Sequence, residues 1–302
     1  MAAADELSIR ERFQKAILMS NPSKNNAKLA AKRHTKVREL LSKEPWVESS
    51  FLTGSYARST ATRPINDVDF ILVVHSRKLP VAADPRECVR QFLSQHKQRI
   101  GFNRIRDQDH SVGLHWDRGP CIDVVLGRKN DGGYQIPKKD SGWIATYPQQ
   151  AKDTATRANE ECKRNLIPLV KLLKRWNAEA APKKRRAKDG EMKKPLKSYH
   201  LEVMCYDVNR DEFNGQPHQL ARLVVLLQHL ATKVTDQYLS APGPGVTPFH
   251  TYFESGDHPW TVKEVKKILE QGLSCCSSAV KLETSSPERA HQELCAFFHD
   301  IY

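Results

Sequence analysis

Two aspartates, Asp67 and Asp69, stand one residue apart at the front of an apolar run in FLTGSYARSTATRPINDVDFILVV, residues 51–74. Residues i and i+2 of a strand share a face, so a strand here would point both carboxylates the same way. Carboxylates that close repel each other, and one would normally take up a proton. A divalent cation removes this conflict, and Mg²⁺ binds one or two carboxylates together with water and phosphate oxygens. The pair therefore predicts a Mg²⁺ site at the mouth of a strand.

A third carboxylate, Asp123, lies near the start of a second apolar run, CIDVVL, residues 121–126. If the two runs are neighbouring buried strands, the three aspartates converge. This arrangement suits two Mg²⁺ ions about 3.5–4 Å apart, for which Mn²⁺ could substitute. Such ions activate an attacking hydroxyl and neutralise a leaving pyrophosphate. We therefore expect catalytic and metal-binding roles for Asp67, Asp69 and Asp123.

Gly54 and Ser55 precede the aspartate pair in the same stretch. A Gly-Ser pair where a strand turns into a helix offers backbone N–H groups, a hydroxyl and the positive end of the helix to a phosphate. Each motif alone is weak, because an isolated D-x-D is more often a turn or a solvated surface. The Gly-Ser turn, the aspartate pair and the third aspartate in this order together predict nucleotidyl transfer.

Hydrophobic periodicity predicts the elements that would position these residues. Strands are expected at 47–52, 67–74, 104–105, 111–115 and 121–126, whereas the segments 129–137 and 141–150 are expected to form turns and a loop. Helices are expected from residue 8, at 24–43, 56–60, 85–99, 166–176, 198–208, 220–234, 261–282 and 287–302. The change from strands to helices places a boundary between two lobes near residue 150.

Composition limits the class of protein. The 302 residues are 39% hydrophobic and carry a net charge of +13, which indicates a polyanionic partner. No run approaches the ~20 apolar residues of a membrane span, and MAAADELSIRERF is not a secretory signal, so we expect a cytoplasmic protein without membrane contact. The odd count of seven cysteines favours reduced thiols. Cys275, Cys276, His291 and Cys295 lack the usual spacing of a zinc site.

Residues 178–197, AEAAPKKRRAKDGEMKKPLK, contain eight Lys or Arg and show no apolar periodicity. We interpret them as a mobile loop. A solvated linker between helices is the favoured explanation, and a contact with nucleic acid or another polyanion is the alternative.

These motifs resemble those of DNA-polymerase-β-type nucleotidyltransferases. More narrowly, they are similar to the cyclic-oligonucleotide synthases called CD-NTases, which include animal cyclic GMP-AMP synthase and its bacterial relatives. The likeness rests on GSYARSTATRPINDVD, CIDVVL, GGYQIPKKDSGWIATYPQQ, LVKLLKRWN and KSYHLEVM. It implies a two-lobed α+β fold. Residues 1–150 would form the catalytic core, with a mixed β-sheet and an N-terminal spine helix, and residues 151–302 a helical lobe that completes the nucleotide pocket.

The resemblance also implies roles for single residues. Gly54 and Ser55 would hold the donor triphosphate, Asp67 and Asp69 would bind both metal ions, and Asp123 would complete the second metal site. Further candidates for substrate binding match a lysine and a Ser-Tyr pair of the family: Lys174, Ser198 and Tyr199. From the residues alone, Lys174 could be a surface lysine and Tyr199 a core side chain. Ser198 could also be a helix N-cap, a role that is compatible with phosphate binding.

This sequence departs from animal cyclic GMP-AMP synthase in one respect. The animal enzyme has a zinc-binding insertion that recognises DNA, and this sequence has no counterpart of it. The chain therefore looks like the compact bacterial form, whose products activate a separate effector protein in anti-phage defence (CBASS). The resemblance implies a monomer that takes nucleoside triphosphates as substrates, with an activating protein partner as a further possibility. Binding of nucleic acid is left open.

The expected reaction is attack of a ribose 2′- or 3′-hydroxyl on the α-phosphate of a nucleoside triphosphate, repeated until a cyclic di- or trinucleotide closes. Three alternatives remain from the sequence. A linear oligonucleotide synthase or an RNA-tailing enzyme would carry the same carboxylates. A binding module without activity would have no need of all three aspartates. A nucleic-acid-binding protein would depend on the basic segment 178–197.

Overall fold

The structure is a computed structural model that describes residues 7–75, 85–137, 142–179, 185–188, 190, 192–243, 246, 248–254 and 258–299. Its strands are β1 (Val47–Leu52), β2 (Asp67–Val74), β3 (Arg104–Asp107), β4 (Ser111–His115), β5 (Cys121–Asn130), β6 (Gly133–Pro137), β7 (Trp143–Thr146), β8 (Arg185–Arg186) and β9 (Met192–Lys193). Its helices are α1 (Ile9–Met19), α2 (Lys24–Leu41), α3 (Gly54–Ala57), α4 (Pro85–Gln95), α5 (Lys97–Ile100), α6 (Pro148–Glu161), α7 (Leu166–Glu179), α8 (Ser198–Cys205), α9 (Arg210–Asn214), α10 (Gln219–Lys233), α11 (Thr251–Glu254), α12 (Val262–Leu282) and α13 (Pro287–Phe298).

The chain divides into two compact units. One, which we call the sheet unit, comprises Pro22–Asp153 and Pro242–Val246. The other, the helical unit, comprises Met1–Asn21, Thr154–Ala241 and Thr247–Tyr302. The expectation of a mixed sheet followed by helices is confirmed. Among the described residues, no helix has the length and apolar character needed to cross a membrane.

The sheet unit is built on the strand order β1-β2-β5-β4-β3, and β6 and β7 extend it from the far end of β5. β2 and β5 run parallel in the centre, and their other neighbours are antiparallel. One face of this sheet is apolar: Val68, Phe70 and Leu72 of β2 are fully buried in the same core as residues of β4 and β5. Because side chains alternate across a strand, Asp67 and Asp69 lie on the opposite face.

The helical unit has a separate core, in which the indole of Trp176 on α7 is 1% exposed. Its ring lies 4.6 Å from that of Phe297, and its Nε1 donates a hydrogen bond to the Phe297 carbonyl at 3.1 Å. α7 presents a continuous apolar face, as the i, i+3, i+4 spacing predicts. α1 packs against α7, α10 and α13, because Phe13 and Ile17 are buried in this core.

Two local expectations were wrong. The segments 129–137 and 141–150 were expected to form turns and a loop. They contain the end of β5 and the strands β6 and β7, and Tyr134 and Ile136 of β6 pair with Thr146 and Ile144 of β7.

The basic segment 178–197, expected to be a mobile loop, begins inside α7 and includes the hairpin β8–β9 among its described residues. Arg185 of that hairpin stacks on Trp260 and bonds Glu264, so tertiary contacts order residues whose sequence has no apolar pattern. The domain bounds stay a prediction, and the first helix, expected in the catalytic core, groups with the helical unit in the structure.

His200 on α8 is the buried titratable group most relevant to the stability of the helical unit. Its ring stacks on Phe249 with centroids 3.9 Å apart and meets Tyr252 edge-on. Burial, with smaller contributions from the charges of Lys197 and His258, lowers the pKa of His200 to about 3. The folded protein therefore keeps this imidazole neutral at pH values where an exposed histidine takes up a proton.

The low pKa of His200 predicts a loss of stability in acid. Below the ordinary histidine pKa of about 6.5, the unfolded chain binds a proton that the folded chain does not, so stability falls by up to about 1.4 kcal/mol per pH unit until about pH 3. His200→Phe keeps the stack on Phe249 and cannot titrate. Thermal melting of this variant should decline less than that of the wild type between pH 7 and 5.

His75→Phe is the matched control, since the His75 side chain is 43% exposed. It should leave the acid dependence of the melting temperature unchanged. Equal slopes for the wild type and His200→Phe would contradict the prediction.

Candidate functional site

The pairing of β2 with β5 brings the three aspartates together. In this parallel register Asp69 lies directly beside Asp123, and Asp67 lies beside Cys121. Directly paired residues of adjacent strands share a face, so all three carboxylates are on the face opposite the apolar core. The expectation that the two aspartate-bearing strands are neighbours is confirmed.

The carboxylates are coupled electrostatically. Burial, followed by the charges of Asp67 and Asp123, raises the pKa of Asp69 to about 7. Burial and the charge of Asp67 raise the pKa of Asp123 to about 6, against a hydrogen bond from Gln108 that acts in the other direction. Asp123 is 8% exposed, whereas Asp67 is exposed at the start of its strand. The face therefore concentrates more negative charge than the protein neutralises by itself.

Gly54 lies against this cluster. The Thr53 N–H, one residue earlier, donates a hydrogen bond to the Asp69 carbonyl at 2.9 Å. Gly54 has a φ of +66°, and a Cβ atom on it would come within 2.0 Å of Asp69 Oδ2. The turn also closes on itself, because the Ser55 carbonyl accepts hydrogen bonds from the N–H groups of Thr60 and Ala61. Only glycine fits here, and its absent side chain lets the backbone of α3 approach the carboxylate.

Asp123 is supported by two polar side chains, Gln108 and Ser111, that the sequence did not indicate. Gln108 Nε2 donates to Asp123 Oδ1 at 3.1 Å, and the Ser111 hydroxyl donates to Gln108 Oε1 at 2.8 Å. Gly113 faces the same point, since a Cβ there would come within 3.0 Å of Asp123 Oδ1. A single glutamine after a short strand carries no pattern, so only the register of β3, β4 and β5 reveals this contact.

Lys174 lies in the helical unit in a buried ion pair. Its Nζ donates to Glu202 Oε1 at 2.6 Å, and the two side chains are 7% and 1% exposed. The other carboxylate oxygen of Glu202 accepts a hydrogen bond from the Tyr206 hydroxyl at 3.1 Å. The surface-lysine alternative is therefore wrong. Its role toward a phosphate stays a prediction, and Glu202 is a partner that the sequence did not indicate.

Lys171 is a second lysine on the same face of α7, one turn before Lys174. Its Nζ donates to Asn21 Oδ1 at 2.9 Å, and burial and the charge of Lys174 lower its pKa. The two lysines in LVKLLKRWN are three residues apart, and this i, i+3 spacing is the sequence signal that places Lys171 on the same helix face as Lys174.

Ser198 and Tyr199 open α8 in the same unit. The N-cap of α8 is Lys197, so the expectation that Ser198 is the N-cap was wrong. The Ser198 hydroxyl instead accepts a hydrogen bond from Lys194 Nζ at 3.1 Å. Tyr199 is half-buried against the helical core and meets the Phe249 ring edge-on at 6.2 Å. Its contact with a nucleotide base stays a prediction.

A divalent cation fits the chemistry of the aspartate face. The donors are hard carboxylate oxygens, and burial, followed by their mutual repulsion, raises the pKa values of Asp69 and Asp123. In the part of the chain that the structure describes, no three His, Cys, Asp or Glu side chains form a metal-binding group on their own. A cation here would thus need further oxygen ligands, as Mg²⁺ takes from water and phosphates.

Two domain families match this chain. The Second Messenger Oligonucleotide or Dinucleotide Synthetase domain matches residues 7–159, and the cGAS/DncV-like nucleotidyltransferase C-terminal helical domain matches residues 153–275. A curated relative, cyclic AMP-AMP-AMP synthase of an Acinetobacter species, is 28% identical over 139 residues. That match covers 43% of this chain and 39% of the synthase, so it spans less than half of the relative's length.

Solved structures show the same fold. CdnC of Escherichia coli MS115-1, in a complex with HORMA-deltaN, superposes with a TM-score of 0.71 at 14% identity and covers 99% of both chains. The Vibrio cholerae DncV cyclic AMP-GMP synthase superposes with a TM-score of 0.61 at 14% identity, over 83% of this chain and 68% of that one.

The contact between Gly54 and Asp69 can be tested by substitution. Gly54→Ala should destabilise the sheet unit in two ways, through the strain of an alanine at positive φ, about 1–2 kcal/mol, and through the collision with Asp69. Gly101→Ala is the control, because Gly101 has a φ of +86° but nothing within 4 Å of its Cβ position. Thermal melting should therefore fall further for Gly54→Ala. Equal shifts would show that the close approach to Asp69 has no energetic weight.

Proposed function

Because the chain belongs to the family of second messenger oligonucleotide or dinucleotide synthetases, we propose that it is a template-free, Mg²⁺-dependent nucleotidyltransferase. It makes a cyclic di- or trinucleotide from nucleoside triphosphates and releases pyrophosphate. The observation that carries the proposal is the register of β2 and β5, which sets Asp69 beside Asp123, together with the Gly54 turn that lies against Asp69.

Each transfer forms one bond and breaks one. The ribose hydroxyl oxygen of the acceptor nucleotide bonds to the α-phosphorus of the donor, and the bond from that phosphorus to the oxygen bridging the β-phosphate breaks. Pyrophosphate leaves with the bond's electron pair, and the hydroxyl proton passes to the carboxylate of Asp123. A further transfer within the linear intermediate, after it has turned round, closes the ring. Positioning and charge neutralisation account for most of the rate in such reactions.

Asp67, Asp69 and Asp123 would hold the metal ions. When bound, Mg²⁺ supplies neutralisation of the phosphate charge and a lower pKa for the attacking hydroxyl. The backbone N–H groups at Gly54 and Ser55 bind the donor triphosphate, which the close approach of this turn to Asp69 supports. As the family resemblance implies, we assign Lys174 and Ser198 of the helical unit a role in binding phosphate and Tyr199 a role in stacking on a nucleotide base. Glu202 orients Lys174 through their ion pair.

The biological setting follows from the family. We propose that the product is a second messenger in bacterial anti-phage defence, read by a separate effector. The complex of CdnC with HORMA-deltaN supports an activating protein as partner. The remaining alternative is a linear oligonucleotide synthase or an RNA-tailing enzyme. The ring is favoured because the named relatives include a cyclic AMP-AMP-AMP synthase and a cyclic AMP-GMP synthase.

A product assay tests the proposal. The purified chain is incubated with Mg²⁺ and all four triphosphates carrying an α-³²P label, and the products are treated with phosphatase and analysed by mass spectrometry. We expect a phosphatase-resistant product with the mass of a cyclic di- or trinucleotide. Products that stay phosphatase-sensitive and lengthen with time would identify the linear alternative.

Asp69→Asn should lower synthesis roughly a thousandfold, since metal-bound charge stabilisation is worth several kcal/mol. The same variant should melt no lower than the wild type, because it removes a buried charge that its neighbours repel. Asp131→Asn, in the exposed turn after β5, is the control and should retain full activity. Undiminished synthesis by Asp69→Asn would overturn the assignment of the metal site.

A further inference from the structure

The catalytic face of the sheet continues to two arginines on its edge strand. In β3, Arg106 pairs with Gly113 of β4, Gly113 pairs with Asp123 of β5, and Asp123 pairs with Asp69. This row crosses four strands, and directly paired residues share a face. Arg104, two residues before Arg106, lies on the same face and pairs with His115. Both arginines are therefore on the side of the sheet that carries the aspartates.

Burial supports this assignment of faces. The residues that alternate with the row point into the apolar core: Val68, Ile105, Val112, Leu114, Ile122 and Val124. Arg104 and Arg106 are exposed. Their charges also act on the middle of the face. Burial is the main cause of the lowered pKa of His115, and the charges of Arg106 and Arg104 lower it further.

Neither arginine makes a side-chain hydrogen bond or an ion pair with any residue that the structure describes. Two exposed guanidinium groups two residues apart on one strand face repel each other weakly, and a bound anion would relieve that repulsion. An exposed, unneutralised Arg pair is also the preferred protein partner of phosphate groups, because each guanidinium can donate two parallel hydrogen bonds.

His115 and Gly113 lie between the arginines and the aspartates. His115 Nδ1 is 3.0 Å from Cys121 Sγ, whereas its Nε2 is buried and has no hydrogen-bond partner within the described part of the chain. A Cβ on Gly113 would come within 3.1 Å of that Nε2 and 3.0 Å of Asp123 Oδ1. The space over Gly113 is occupied by the Gln108 amide, since a Cβ there would also come within 2.8 Å of Gln108 Nε2. The side chains of Gln108 and His115 therefore lie between the acidic and the basic groups of this face.

We propose that Arg104 and Arg106 bind the 5′-triphosphate of the acceptor nucleotide, the one whose ribose hydroxyl attacks, and so form an acceptor subsite on β3. The inference rests on the proposed function, because the acceptor of the first transfer is itself a triphosphate. That polyanion cannot lie against three aspartates, but β3 is two strands from β5, roughly 10 Å away. The acceptor ribose then lies over the side chains of Gln108 and His115, with its hydroxyl toward Asp123 and its phosphates toward the arginines.

This subsite makes the two chemical steps differ. In the first transfer the acceptor carries a 5′-triphosphate, which the arginines hold. In ring closure of a linear dinucleotide, that triphosphate has become the donor, and the new acceptor nucleotide carries only a phosphodiester. Loss of the arginines should therefore slow formation of the linear product and leave ring closure from a supplied linear dinucleotide almost unchanged.

The first step can be isolated with substrates that play one role each. A 2′,3′-dideoxynucleoside triphosphate can act only as donor. An α,β-methylene nucleoside triphosphate can act only as acceptor, since its leaving bond is not cleavable, and the nucleoside itself is the acceptor without phosphates. Each of the four bases is tested in both positions, and the apparent KM of each acceptor is measured with Mg²⁺ present.

The double variant R104A/R106A should raise the KM of the α,β-methylene triphosphate acceptor by about tenfold to a hundredfold, as expected for lost hydrogen bonds between charged groups. The KM of the dideoxy donor and of the nucleoside acceptor should stay within about twofold. K97A/R99A is the matched control: it removes two exposed charges with the same spacing, on α5, which packs with α2 and α4 rather than on the catalytic face. This control should leave every KM unchanged.

Equilibrium binding gives a readout that needs no turnover. In EDTA the aspartates repel polyphosphate, so inorganic tripolyphosphate should bind the wild type at the arginines, and R104A/R106A should weaken that binding at least about tenfold. Failure of the wild type to bind tripolyphosphate would overturn the subsite.

The KM measurements give a second possible contradiction. If R104A/R106A raised the KM of the triphosphate acceptor and that of the nucleoside acceptor equally, the subsite would also be overturned, and the arginines would only protect the edge strand from pairing with another chain. Tripolyphosphate binding that depends on the arginines, in a protein that makes no nucleotide product, would instead overturn the proposed function.

Discussion

The parallel pairing of β2 with β5 is the contact on which the candidate site depends. It is fixed from the core side, where Val68, Phe70, Ile122 and Val124 are fully buried. A slip of one residue would move these side chains out of the core, so hydrophobic burial specifies the register strongly. On the other face the same register sets Asp69 beside Asp123. The core thus supplies the free energy that holds two like charges together.

Holding them together has an electrostatic cost that the protein leaves largely uncompensated. An ordinary structural carboxylate gains a lysine or arginine partner, as Glu202 does with Lys174 in the helical unit. Asp69 and Asp123 instead have raised pKa values, and a glycine approaches where a side chain would fill the space. Uncompensated charge of this kind is concentrated at functional sites, where a bound ligand or metal ion neutralises it. The contrast between the two carboxylate environments is physical support for a role in binding and not in stability.

The sequence predicted the parts of the fold that depend on strong local patterns. The strand Asp67–Val74 and the apolar helix α7 followed from periods of 2 and 3.6, and the aspartate motif indicated which face of β2 would be functional. β6 and β7 were missed because glycine, proline and lysine at 128–142 read as turns, whereas pairing with β5 overrides that preference. Gln108 and Glu202 could not have been predicted, since each acts through a partner distant in sequence. Local patterns therefore located the site residues, and non-local pairing determined what surrounds them.

The order of charges across the sheet suggests how its face distinguishes two chemically similar substrates. Both nucleotides in the proposed first transfer would carry a triphosphate, so charge alone would not distinguish the donor from the acceptor. Position along the sheet could distinguish them. The row of paired residues runs from Asp69 through Asp123 and Gly113 to Arg106, so it is acidic at one end and basic at the other. A triphosphate at the acidic end is stable only with metal ions, which also activate it as a leaving group. A triphosphate at the basic end is stable without them and stays intact. The same polyanion would thus be reactive or inert according to which strand it lies against, and the sheet's register, set by its buried face, would decide which nucleotide is cleaved.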